Sequence, residues 1–184
     1  MARIGLKNFR YSLLDENEKV TTPKTLGKAV DCKTSLSLNS AELYADDGLA
    51  ESDYSFQKGT VTLSVDDDDD KVFAEILGHK ISEDGEVVRN QNDMPPYVAI
   101  GRILTKSVNN KKKYKVEILL KVKFKDTMPD ETTKGESIEY STVSIEGEAS
   151  VLKNGDWSVS KTFTDYDEAS NFLDKKLTGS TPSV

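Results

Sequence analysis

Apolar and polar residues alternate most cleanly between Tyr114 and Lys125. Tyr114, Val116, Ile118, Leu120, Val122 and Phe124 fall on one side, Lys115, Glu117, Lys121, Lys123 and Lys125 on the other, and Leu119 alone breaks the pattern. Successive side chains of a strand point to opposite faces, so this period of two predicts a long strand with one buried face. At about 3.3 Å per residue it spans roughly 40 Å. A helix would scatter the same apolar residues around its circumference. Such a strand needs paired neighbours, because its N–H and C=O groups and its hydrophobic face cannot be left in water. The chain is therefore expected to be mainly β.

The same pattern continues along the chain. Ile4 and Leu6, then Phe9, Tyr11 and Leu13, alternate with a phase change at Lys7–Asn8 that predicts a bulge. Further strands are predicted over Lys28–Leu38, Gly59–Asp66 and Tyr97–Lys106, and over Glu136–Leu152 with a parity switch near Thr142. Asn109-Asn110 marks a turn, so Tyr97–Lys106 and the long strand should pair antiparallel. Asp84-Gly85 predicts a small hairpin over Ile81–Arg89. Asn154-Gly155 predicts a type I′ hairpin that sets Leu152 opposite Trp157 and Glu148 opposite Lys161. Helical spacing appears twice. Lys71–Leu77 should be capped by Asp66 or Asp67 and ended by Gly78. The second helix runs from a cap at Thr164 or Asp165 to Leu177, with Ala169, Phe172, Leu173 and Leu177 as its apolar stripe. The expectation is a mainly β (α+β) domain over 1–177, a β-sandwich or open barrel of about eight strands with two short flanking helices. Residues 178–184 are expected to form a flexible tail.

Composition narrows the function. The 184 residues carry a net charge of −7, which argues against a protein that coats nucleic acid. No apolar run approaches the roughly 20 residues of a membrane span, and the first residues show no signal-peptide core. Cys32 is alone and points to a reducing compartment; His79 is also alone, so one chain offers no His-based metal site or catalytic pair. No nucleophile elbow, P-loop or dinucleotide fingerprint is present. Asp66–Asp70 lacks the glycine and terminal glutamate of an EF-hand loop and is read as capping and first-turn acids. No enzyme activity, cofactor or metal is expected.

Charge is unevenly spread. From Asn39 to Asp70 there are ten acids against one lysine, and from Lys106 to Lys125 eight lysines against one glutamate. One reading is two solvated faces; the other is a subunit whose acidic surface meets the basic surface of its copy. Asn39–Lys58 is long for a loop inside a compact domain, and its scattered large apolar residues need something to dock on.

The segments ELYADDGLAESD (42–53), GTVTLSVDD (59–67), KVFAEILGH (71–79), PPYVAIGRILTKS (95–107), STVSIEGEA (141–149) and FTDYDEASNFLDKK (163–176), in this order, resemble major tail tube proteins of long non-contractile tailed phages and prophages of Gram-positive bacteria. The resemblance implies a β-sandwich with a flanking helix, six copies forming a ring, and rings stacked into a hollow tube that conducts DNA. It implies as partners the protein itself, the tape measure protein and other tail proteins, with DNA only in passage and no membrane. Localisation would be the virion, after assembly in the bacterial cytoplasm. Asn39–Lys58 sits where the family's inter-ring loop lies, which makes Leu43, Tyr44, Asp46, Asp47, Leu49, Tyr54 and Phe56 expected interface residues. Lys115, Lys121 and Lys123 are expected at a subunit contact or on the outside, since a basic bore would retain phosphate. The alternative is a stand-alone β-sandwich binding module for carbohydrate or a cell-surface ligand, using Tyr54, Tyr97 or Trp157.

Overall fold

The computed structural model describes the backbone of residues 2–45, 48–66, 69–108, 111–126 and 142–178, and the side chains of 4–40, 54–66, 69–108, 111–126 and 142–178. In chain order the elements are β1 (Ala2–Leu13), β2 (Lys24–Gly27), β3 (Ala29–Ala45), β4 (Gly48–Val65), α1 (Asp70–Leu77), β5 (Lys80–Ile81), β6 (Val87–Val88), β7 (Tyr97–Val108), β8 (Lys111–Phe124), β9 (Val143–Ala149), β10 (Ser158–Phe163) and α2 (Tyr166–Leu177). The main sheet has eight strands in the order β2-β1-β7-β8-β9-β4-β3, with β10 joining at β8, and its pairings are antiparallel. The mainly β fold with two helices agrees with the expectation from alternation.

β8 is where the sheet forks. Its first half, Tyr114–Leu119, pairs with β10, and its end, Val122–Phe124, pairs with β9. β2, β1, β7, β8 and β10 thus form one layer, while β9, β4 and β3 fold over it as a second. Between the layers lie Tyr11, Leu26, Val61, Leu63, Val65, Val98, Ile100, Leu119, Val122, Phe124 and Ile145, with Ile76 and Leu77 of α1 completing this core. A second core lies on the outside of the first layer, where Ala169, Leu173 and Leu177 of α2 cover Ala99, Ile103, Val116 and Ile118. The contact is close at Gly101, where a Cβ would stand 2.3 Å from Leu173 Cδ1.

The long strand is not the single alternating face that its sequence suggests. Val98 pairs with Val122 and Ile100 with Leu119, so β8 carries one residue more than β7 between these rungs. Before this bulge Val116 and Ile118 face α2; Leu119, Val122 and Phe124 face the inter-layer core. Leu119 is the last inward residue of the first parity, and beyond the bulge the even positions turn inward, so Lys115 and Lys123 lie on opposite faces. The bulge predicted near Asn8 is present: Asn8 has φ 57° and the β1–β7 register shifts between Lys7 and Arg10.

Three local expectations are corrected. The cap of α1 is Asp69, whose carboxylate accepts the Lys71 N–H at 2.9 Å; Asp66 instead accepts the Lys28 N–H at 3.0 Å, and Asp67 lies outside the described residues. Gly78 ends α1 at φ 77°, as expected. The turn at Asn154-Gly155 is not type I′, because only Gly155 has positive φ. Gly155 N–H donates to Leu152 C=O and Leu152 N–H to Asp156 C=O, the three-residue hairpin loop with glycine at its left-handed position. The strands beyond it separate, so Lys161 lies opposite Val116, and Glu148 opposite Thr60 and Lys123. For the second helix, Asp165 is the cap, accepting the Asp167 and Glu168 N–H groups. The loop expected over 128–135, most of the strand expected over 136–152 before Val143, and the tail from Gly179 fall outside the described residues.

Candidate subunit interface

β3 and β4 pair from Ala29↔Val65 to Ala45↔Gly48, but only the inner part belongs to the layered body. β4 leaves β9 after Gly59↔Ala149, and beyond that rung β3 and β4 pair only with each other among the described residues. The expected long loop over Asn39–Lys58 is therefore a β-hairpin arm. Its strands satisfy each other's backbone groups, and its sequence carries no period-two stripe. About nine residues a strand give it a length of roughly 30 Å.

The expected interface residues fall along this arm. Leu43 is in register with Glu51, and Tyr44 with Leu49; Asp46 and Asp47 lie outside the described residues. Tyr54, opposite Ser40, is 60% exposed. Leu36 and Leu38 are 47% and 52% exposed, so the apolar surface of the arm's base is left about half in water. Phe56 differs: it stacks on Trp157 with ring centroids 4.5 Å apart and planes 5° from parallel.

That stack is one fastening at the root of the arm. Another is Arg102 of β7, whose guanidinium donates to Cys32 Sγ and Thr34 Oγ1 on β3 and to Glu117 Oε2 on β8, the last at 3.0 Å. Lys115 adds a second charged contact to Glu117, at 2.5 Å. Burial pushes the Glu117 carboxyl up, but the Lys115 hydrogen bond and the Arg102 charge outweigh it and hold the group below its ordinary value. Taken in order, Thr34 meets Arg102 of β7, Leu36 lines a cleft of about 370 Å³ with Leu119 of β8 and Val159 of β10, and Phe56 meets Trp157. The hairpin thus crosses over the first layer from β7 toward β10 rather than running along its strands. Sequence reading missed Arg102 and Glu117, since a charged pair that meets across 15 residues leaves no local pattern.

The three lysines picked from the sequence do not act together. Lys115 is tied to Glu117 in the cleft. Lys121, at the bulge, pairs with Glu18 at 2.6 Å and lies over the Tyr97 ring, and Lys123 lies over the same ring from the next position. Glu18 is held in a left-handed conformation, φ 60°, and also accepts the Lys153 N–H at 2.7 Å, so the pair joins the 15–19 turn to the bulge.

The two residues with reactive potential sit in structural settings. His79 is buried just past α1, its Nδ1 2.8 Å from Asp93 Oδ2 and its Nε2 3.4 Å from Asp126 Oδ2; no hydroxyl or thiol is among its hydrogen-bond partners in the described residues. Cys32 is half-buried, and burial pushes its thiol pKa up, away from the nucleophilic form. Among the described residues no group of three His, Cys, Asp or Glu side chains gathers to hold a metal ion, and no helix is long and apolar enough to cross a membrane.

A forked antiparallel sheet folded into two layers, with one helix on its outer face and a projecting hairpin, is the class of structure in hand. Among solved structures it is similar to the anti-feeding prophage cap, described as a tube terminating cap and determined by cryo-EM, with a TM-score of 0.51 and 13% identity over 89% of this chain and 93% of that one. At that identity the likeness is one of fold. No protein-family model matches the chain, and no curated protein matches it.

Proposed function

We propose that this protein is a structural subunit of a phage-type tail, self-assembling as stacked hexameric rings into the tube through which DNA passes. The observation that carries the reading is the hairpin arm. It runs roughly 30 Å past its last rung with β9, and Leu36, Leu38 and Tyr54 along its base are about half in water. An isolated binding domain has no use for such a ribbon, whereas a subunit that must reach a neighbour does. The fold shared with a tube terminating cap and the ordered sequence resemblance to tail tube proteins support the same role. Its partners are then other copies of itself, the tape measure protein and other tail proteins. Its location is the virion, after assembly in the host cytoplasm.

A second reading has one observation in its favour: the similar solved structure ends a tube rather than forming its wall. Negative-stain microscopy of the concentrated protein distinguishes the two. Open-ended hollow tubes of stacked rings are expected; single rings that never stack support a terminator. A monodisperse monomer at every concentration and salt overturns both. The binding-module reading loses one platform residue in any case, since Trp157 is covered by Phe56.

A further inference from the structure

We propose that the end of the β7–β8 hairpin is the acceptor for the acidic arm of another copy of this chain; the inference rests on the self-assembly reading above. Register places positive charges side by side at this end. Arg3 of β1 lies opposite Lys106 of β7, and Lys106 opposite Lys113 of β8; the next rungs are Ser107↔Lys112 and Val108↔Lys111. Like charges directly opposed on neighbouring strands destabilise a sheet. Elsewhere on the same strand Lys115 meets Glu117, Lys121 meets Glu18 and Lys123 lies over the Tyr97 ring, with Lys125 just past its end held by Glu146 and Glu148. Among the described residues no carboxylate lies within ion-pair distance of Lys106, Lys111, Lys112 or Lys113.

The complementary surface is on the arm. Asn39–Gln57 contains five acids and no lysine or arginine. Its rungs Ala41↔Asp53, Glu42↔Ser52 and Leu43↔Glu51 each carry one carboxylate. Successive rungs face opposite sides, so Arg3, Lys106, Lys113 and Lys111 share one face of the hairpin end, on alternate rungs, and Asp53 and Glu51 share one face of the arm, also on alternate rungs. Both are antiparallel ribbons with the same rise of about 3.4 Å per rung, so the charged rungs of the two faces match in spacing. The net charge of −7 opposes a nucleic acid and a second copy alike at long range, so the choice between them rests on the short-range match of the two ribbons. The acidic ribbon of a second copy is the better fit.

The test is a charge swap read by sedimentation velocity and negative-stain microscopy. One variant carries Lys106→Glu, Lys111→Glu and Lys113→Glu; the other carries Glu51→Lys and Asp53→Lys. Each alone should melt like the wild type and stay monomeric, and an equimolar mixture should co-assemble, because each then presents what the other accepts. The wild-type critical concentration should rise about tenfold or more on moving from low to high salt, as exposed charge pairs are screened. Assembly of the first variant at the wild-type concentration overturns the proposal while leaving the tube reading standing. So does a mixture that stays monomeric when the wild type forms tubes, or wild-type lysines that retain a duplex oligonucleotide at physiological salt. A wild type that never assembles removes the tube reading and this inference together.

Discussion

At the scale of single residues, the body is held by a few charged groups whose partners are distant in sequence. Glu117 is the most connected, joining β8 to Arg102 and Lys115 under the arm's root. Its folded-state pKa is depressed, so its contribution to stability is fully present above its unfolded value of about 4.5 and is lost as pH falls through the lower folded value. Glu117→Gln should therefore destabilise the protein by about 1–3 kcal/mol near pH 7, and by progressively less as pH falls below the unfolded value and through the lower folded one. Urea unfolding across a series of acidic pH values checks this, and a deficit that stays the same size throughout would contradict the ionic role. Glycines are similarly specific: at Gly78, with φ 77°, an added Cβ would lie 2.4 Å from Met94 C=O. That glycine was readable as a helix stop, whereas the Met94 contact was not, because it depends on a loop that returns in space.

At the scale of elements, the period-two pattern located most of the strands, and Gly and Asp located the turns. Its failures share one physical cause: alternation reports which face is buried, not what buries it. In β8 the even positions are apolar throughout, yet Val116 faces α2 and Val122 faces the inter-layer core, and only the misplaced Leu119 betrays the switch. In the arm the sequence carries no alternation, so strands spanning Asn39–Lys58 read as a loop. Leu152 and Trp157 flank a tight turn as expected, but their strands are claimed by different neighbours. Of the expected interface residues, Phe56 was legible as apolar but not as the partner of Trp157, 101 positions away. This stack gives the arm's root a measurable anchor. Trp157→Ala should speed amide exchange at Leu36–Leu38 and Phe56–Lys58 about tenfold, in line with the roughly 1 kcal/mol of an aromatic pair, while leaving β7 and α2 protected. Uniform acceleration across the sheet would show that Trp157 supports the whole body instead.

At the scale of the whole molecule, the body and the arm have separate duties. The core residues described lie within the layered body, and beyond Leu38 and Phe56 the strands β3 and β4 go on pairing with each other. Removing Leu43–Ser55 would leave Leu38 facing Phe56 across a short loop. That chain should keep its thermal midpoint within a few degrees, since surface changes away from the core cost little. It should also stay monomeric at concentrations where the intact chain forms tubes, as seen in calorimetry and sedimentation. Collapse of the thermal transition would make the arm part of the folding unit and weaken the assembly reading. The forked strand has a different consequence. Because β8 lines both hydrophobic interiors, neither can be dismantled while the other survives, and melting should be all-or-none: the fluorescence of Trp157 and the far-ultraviolet signal of the helices should fall along one curve. A protomer that loses order only in a single step spends almost no time half open, so few naked strand edges are offered to the wrong neighbour in a crowded pool of identical chains.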